Sequence, residues 1–168
     1  MSELRAALIG DSAHTPPLHI IEALPPELAH APIRLGNWGA PHTIYQELWH
    51  IAFWLQITLN WIDGVPTNYP AKPNDAFANE AQSRAEPWPD LRARFKRGID
   101  QAAALTAEPS TLARLIQCPS RPGAATRIMS VQEQLISLAA HNSYHFGRIV
   151  LMRQLLGSWP PPSGGFTW

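Results

Sequence analysis

The sequence predicts an all-α protein, most simply an up-down four-helix bundle with one long crossover. Apolar segments of helical length are separated by proline and glycine, which end helices and begin new ones. No run of four to eight residues alternates clearly between polar and apolar residues between hairpin turns. The chain of 168 residues is 45% hydrophobic, enough for one core, so residues 1–168 are predicted to form a single domain.

The first helical element is predicted to be short or broken. Residues 3–9 can form a short helical turn, and Thr15, followed by two prolines, can cap a second piece that ends at Pro25. After a loop rich in proline and glycine, residues 41–62 are predicted to form one long helix that ends before Gly64. This helix is the most apolar of the chain, so we expect it to lie centrally in the core.

A long excursion and a third helix follow. Residues 65–88 contain many turn-forming residues and are predicted to form an ordered excursion rather than a strand. Pro89 and Asp90 begin a helix that continues to about Ala107. The apolar residues of this helix share one face, so packing on one side only is expected. They are Leu91, Phe95, Ile99, Ala102 and Leu105.

The last helix has the clearest start signal. A short helical turn is predicted at residues 110–117, followed by a loop. Ser130 and Glu133 then form an S-x-x-E capping box, in which each side chain bonds the backbone of the other residue. The helix that begins there is predicted to run to about Gly157.

Composition excludes several classes of function. Thirteen basic residues balance thirteen acidic ones, so no net field attracts a nucleic acid or an anionic membrane. The only cysteine, Cys118, excludes an intramolecular disulfide and leaves histidine and carboxylate as the strong metal ligands. The sequence shows neither a signal peptide at its start nor an apolar run of about 18 residues. We therefore expect a soluble, cytoplasmic protein.

Three histidines are the candidate functional residues. His141 and His145 are four residues apart, so on a helix they lie on one face, roughly 6 Å from each other. His50 lies in the middle of the long apolar helix and can add a third nitrogen. Three ligands leave positions open for water or substrate, which is typical of a catalytic metal. The alternative is that each histidine is a core residue satisfied by one hydrogen bond.

The spacing alone does not indicate a zinc protease. The H-E-x-x-H pattern of that class requires a glutamate as general base, whereas Asn142 follows His141 here. Gln46, Glu47 and Asn142 lie within one turn of a candidate ligand and can orient the imidazoles, although Glu47 can equally be solvated on the helix surface.

Other residues receive weaker functional predictions. Tyr45 and Tyr144 are candidate proton donors only if they face the site. Among the other histidines, His14 is favoured slightly to reach the site. In the proline-rich tail, Trp159 and Trp168 are expected to anchor the chain against the helices.

The segments LHIIEALPPEL and PHTIYQELWHIAFW, the pattern H-x-x-x-H-x-G-x-I beginning at His141, and the ending QLLGSWPPP resemble the DinB-like (damage-inducible) superfamily of proposed metalloenzymes. The resemblance spans most of the chain. It implies a four-helix bundle that binds one divalent metal through His50, His141 and His145. Many members carry arginine after the second histidine of the pair, whereas this chain has Phe146.

The resemblance also implies an activity. Relatives are thought to include thiol-dependent S-transferases that use low-molecular-weight thiols, so transfer of such a thiol to a small-molecule substrate is the first functional hypothesis. A hydrolase and a non-catalytic, stress-associated metal-binding protein are the alternatives. Three imidazoles suit zinc, nickel, copper or iron, and ligand type does not choose among them. The abundance of aromatic residues also suggests a homodimer.

Overall fold

Most of the chain is helical. The computed structural model describes residues 2–10 and 14–165. In chain order the helices are α1 (Glu3–Ile9), α2 (Pro17–Ile20), α3 (Pro26–Ala29), α4 (Ile44–Ile62), α5 (Glu80–Ala85), α6 (Trp88–Leu105), α7 (Pro109–Ala113) and α8 (Val131–Leu155), with a 3-10 turn at Pro73–Ala76 before α5. The mainly helical class predicted from the sequence is therefore confirmed.

Capping residues determine where the long helices begin. Ser130 accepts from the Glu133 amide at 3.1 Å while the Glu133 carboxylate accepts from the Ser130 amide at 2.7 Å, which confirms the capping box of α8. A second capping box joins Thr43 to Gln46 and begins α4 at Ile44, three residues later than predicted. In both cases the side chains satisfy amides that the first helical turn leaves without partners.

Two antiparallel hairpins were missed by the sequence analysis. Strands β1 (Arg34–Leu35) and β2 (Trp38–Gly39) form the first hairpin, and β3 (Leu115–Cys118) and β4 (Arg127–Ser130) form the second. The helical prediction for residues 110–117 is wrong beyond Ala113, where α7 ends. Burial alternates along β3, but over only four residues, too short a period-2 signal to compete with the surrounding helical pattern.

The helices enclose one contiguous apolar core. Helix α4 packs against both α6 and α8, and the short helix α1 lies against α6 and α8. A Cβ placed on Gly98 of α6 would lie 2.7 Å from Leu55 Cδ2, so glycine permits the close approach of α4 and α6. The four-helix bundle itself stays a prediction, because the element beside α6 and α8 is a helix of only seven residues.

The C-terminal segment folds back on the helices. The Arg153 guanidinium lies over the Trp159 ring at 5.6 Å, and Thr15 donates a hydrogen bond to the Gly165 carbonyl at 2.8 Å. Trp168, the other predicted anchor, lies outside the described residues. No helix in the described ranges is long and apolar enough to cross a membrane.

Candidate metal centre

The three candidate histidines meet between α4 and α8. His50 lies in the middle of α4, and His141 and His145 project from consecutive turns of α8. One ring nitrogen from each histidine can be chosen so that all three lie within 4.8 Å of one another. The convergence predicted from the sequence is therefore present in the structure.

In each of the three imidazoles, Nδ1 lies beside an oxygen atom that can accept a hydrogen bond. His50 Nδ1 lies 2.9 Å from the carbonyl oxygen of Ala76, the last residue of the 3-10 turn. His145 Nδ1 lies 2.7 Å from Glu47 Oε2, and His141 Nδ1 lies 3.3 Å from Asn142 Oδ1. Because oxygen only accepts at these contacts, each ring carries a proton on Nδ1, and a ring in its neutral form then leaves Nε2 as a bare lone pair.

This tautomer is the one that a metal site requires. His50 Nε2 lies 3.1 Å from His141 Nε2, and two bare lone pairs at that distance repel unless a cation lies between them. Two nitrogens each about 2.0–2.1 Å from one tetrahedral ion would be roughly 3.3 Å apart, which is close to the observed separation. The donor set therefore fits one transition-metal ion.

Burial keeps the His50 and His141 rings in their neutral form. Desolvation lowers the pKa of His50 from 6.5 to about 3, with a smaller opposing effect from the Ala76 carbonyl. The same cause lowers the pKa of His141 to about 4. Both rings are therefore neutral at pH 7, which is the form that donates a lone pair to a metal.

Glu47 is the buried charge of the site. It is fully buried, and its second oxygen lies 2.8 Å from Arg148 Nη2, an ion pair without aligned hydrogen-bond geometry. The carboxylate therefore links His145 to a partly exposed guanidinium. The solvated position considered for Glu47 is wrong, and Gln46 does not orient a ligand, because its side chain bonds Thr43 and the Ala78 carbonyl.

Aromatic stacking fixes the plane of His50. The Phe77 ring stacks on His50 with a centroid distance of 4.1 Å and an interplanar angle of 9°. His42 stacks on Phe77 at 3.7 Å and 8°. Sequence reasoning missed Phe77 and Ala76 because both lie 26 or more residues from His50 and show no pattern of their own.

The weaker sequence predictions divide into core and surface residues. Tyr45 is buried and donates to the Glu86 carbonyl at 2.7 Å, so it does not face the site. Tyr144 is 65% exposed, with its ring edge-on to His145. His14 is outside the histidine cluster and packs against Phe146, which is buried in the core.

A cavity of about 750 Å³ reaches the histidines from one side. His50 and His141 contribute to its wall, whereas His145 does not line it. Its other lining residues are aromatic side chains, two arginines, polar residues of α4 and α8, and several small or aliphatic residues. They include Trp54, Trp61, Tyr69, Phe77, Arg121, Arg127, Thr58, Gln134 and Ser137.

Fold and site together define a mainly helical protein with three convergent histidines that can hold a metal ion. The chain belongs to the DinB superfamily, whose family model matches residues 17–149. The matched segment contains all three histidines as well as Glu47 and Arg148. No curated protein matches the chain.

Proposed function

We propose that this protein is a metal-dependent enzyme in which His50, His141 and His145 hold one divalent ion of zinc, nickel or iron. The reaction we propose is transfer of a low-molecular-weight thiol to a small electrophilic substrate. The observation that carries the proposal is the convergence of the three nitrogens beside a cavity that His50 and His141 line. A divalent ion bound there would lower the pKa of a thiol or water ligand and polarise an electrophile.

The open access from the cavity to the histidines favours an enzyme over a non-catalytic metal-binding protein. A purely structural site is closed by its ligands and the surrounding core. Here Trp54 and Trp61 line the cavity rather than sealing it, while Trp49 and Phe53 stack on each other away from it. A volume of about 750 Å³ falls within the range of small-molecule sites.

The chemistry of the lining favours a thiol over water. Among the described residues, the cavity wall contains no carboxylate, and Glu47 is already bonded to His145 and paired with Arg148. A general base for water is therefore lacking there. A thiol has a pKa of about 8.5, against about 15.7 for water, so it needs much less assistance to ionise near neutral pH.

The chain's own residues would then orient the reaction and exclude water. Glu47 and the Ala76 carbonyl hold two of the rings in place, and the aromatic wall limits solvent around the substrates. The thiolate sulfur forms a bond to the electrophilic carbon while the leaving group departs with its bonding pair. The thiol proton passes to solvent, so the transfer balances without an oxidant or reductant.

The test begins with elemental analysis of protein purified without a metal-affinity tag. We expect about one equivalent of a transition metal in the wild type and its loss in His50→Ala, His141→Ala and His145→Ala. The control is His19→Ala, which removes an exposed histidine outside the cluster and should retain the metal. Circular dichroism establishes that each variant is folded.

Activity then separates the two enzyme hypotheses. We expect the metal-loaded protein to conjugate glutathione or cysteine to 1-chloro-2,4-dinitrobenzene and to leave p-nitrophenyl acetate unhydrolysed. The reverse result would establish a hydrolase. A wild-type protein that neither contains metal nor can be loaded with it would overturn the proposal.

A further inference from the structure

Two arginines stand at the hairpin end of the cavity. Arg127 belongs to β4, and Arg121 lies in the loop between β3 and β4. Neither forms an ion pair with another described residue, and no described carboxylate lines the cavity with them. Two guanidinium groups beside one pocket without acidic neighbours create a positive potential at its wall. Guanidinium groups favour carboxylate, sulfonate or phosphate as a partner.

A buried amide on the same wall lacks one hydrogen-bond partner. Gln134 is only 7% exposed, and its amide nitrogen donates to Thr58 Oγ1 at 3.2 Å. Gln134 Oε1 is buried and accepts no hydrogen bond from the described residues. A buried acceptor without a donor is destabilising, and a ligand N–H or O–H would satisfy it.

Aromatic side chains form a large part of the remaining wall. Trp54 and Tyr69 contact each other with ring centroids 4.9 Å apart. The indole nitrogen of Trp61 donates to the Thr67 carbonyl at 2.8 Å, so its polar atom is already bonded and its ring remains for apolar contact. Such a wall stacks favourably against a flat, apolar ligand body.

The polar groups of the wall are ordered along β4 and α8. Gln134 and His141 are seven residues apart on this helix, which corresponds to about 10 Å at 1.5 Å per residue. Arg127 lies on β4, which leads directly into the first turn of α8, where Gln134 lies. Along the chain, the order towards His141 is therefore cation, hydrogen-bond acceptor and imidazole nitrogen.

We propose that the cavity binds a small organic anion with an apolar, flat body. Its anionic group would pair with Arg121 and Arg127, a donor on its body would bond Gln134 Oε1, and its other end would reach His50 and His141. The assignment of this anion as the substrate rests on the proposed function. Its binding to the cavity requires only the arginines and the aromatic wall.

Paired fluorescent probes test the charge preference directly. The anionic probe 8-anilinonaphthalene-1-sulfonate and its uncharged analogue N-phenyl-1-naphthylamine share one apolar body and one N–H donor. We expect the double variant Arg121→Gln/Arg127→Gln to bind the sulfonate at least tenfold more weakly than wild type. Binding of the uncharged analogue should change less than twofold. The matched control Arg97→Gln removes an exposed arginine of α6 outside the cavity and should change neither affinity.

The same titrations separate this inference from the metal proposal. They are repeated on metal-free wild type and on folded His50→Ala protein, where we expect the preference for the sulfonate to persist. Equal responses of both probes to the double variant would overturn the anion site and leave the metal proposal intact. Loss of sulfonate binding in Arg97→Gln as well would also overturn it, because net charge rather than the cavity would then determine binding.

Discussion

The two histidines of α8 occupy different surroundings although they are one turn apart. His145 is buried and bonds Glu47, a residue 98 positions away in the sequence, at 2.7 Å. His141 is half-buried and lines the cavity, and its Nδ1 lies 3.3 Å from Oδ1 of its neighbour Asn142. A charge-assisted hydrogen bond of 2.7 Å is roughly twice as strong as a neutral one, and the longer contact is weaker still.

This difference indicates that one side of the site orients its histidine firmly, whereas the other side faces the cavity. On the closed side, Glu47 and Arg148 tie a ligand of α8 to α4 and fix its orientation. On the open side, the Nδ1 of His141 has only the longer contact to Asn142, so a weaker hydrogen bond orients its ring. Mutating a group that hydrogen-bonds a metal-binding imidazole typically lowers metal affinity by about 10–100-fold, so in the proposed site the stronger bond on the closed side should affect affinity more.

The largest effect is expected for Glu47→Gln. The substitution removes the negative charge that faces both His145 and Arg148, so metal affinity should fall by about 10–100-fold. Metal competition with a chromophoric chelator measures the change. The exposed control Glu80→Gln should bind as the wild type does. An unchanged affinity in Glu47→Gln would remove the distinction between the two sides.

Acid should destabilise the metal-free protein because it protonates His50 and His141, the two histidines that line the cavity. Burial lowers the pKa of His50 to about 3 and of His141 to about 4, whereas the unfolded values lie near 6.5. Between those values the unfolded chain binds more protons, so the free energy of unfolding falls as pH falls below 6.5. The slope is at most about 1.4 kcal/mol per pH unit for each histidine.

Urea denaturation of metal-free protein at several pH values between 7 and 5 measures this slope. In the double variant His50→Gln/His141→Gln the slope should flatten, because neither position then titrates. A slope that is equally steep in the double variant would assign the acid sensitivity to other groups.

The smallest effect is expected for Asn142→Ala. The substitution removes the 3.3 Å contact to His141, but it also removes a buried amide nitrogen that lacks a partner among the described residues. We expect metal affinity to fall less than threefold and the free energy of unfolding to change by less than about 1 kcal/mol. The same chelator competition and urea denaturation measure both quantities. A loss as large as that of Glu47→Gln would show that both sides constrain the metal equally.

Local signals predicted the long helices and the convergence of the three histidines. The Ser130 and Glu133 pair marks the start of α8 because a capping box uses residues only three apart. The His141 and His145 pair likewise follows from helical periodicity. Strand β3 escaped prediction because its partner lies more than eight residues away and its four-residue alternation is brief.

The contacts that orient the three histidines could not be predicted in the same way. The acceptor for His50 is a backbone carbonyl, and every residue type carries one. Glu47 did give a signal, since it lies three residues before His50 and therefore shares a helix face with it. Its actual partners, His145 and Arg148, depend on the packing of α4 against α8.

The excursion between α4 and α6 has a double role with a kinetic consequence. The Ala76 carbonyl accepts a hydrogen bond from His50 Nδ1. Ala76 and Phe77 also line the cavity. A displacement of this segment that widens the cavity for a larger ligand therefore also withdraws the acceptor and the stacked ring from His50. If the site holds a metal as proposed, the rate of metal exchange should rise when this segment opens, and ligand entry and metal retention would then depend on the same local motion.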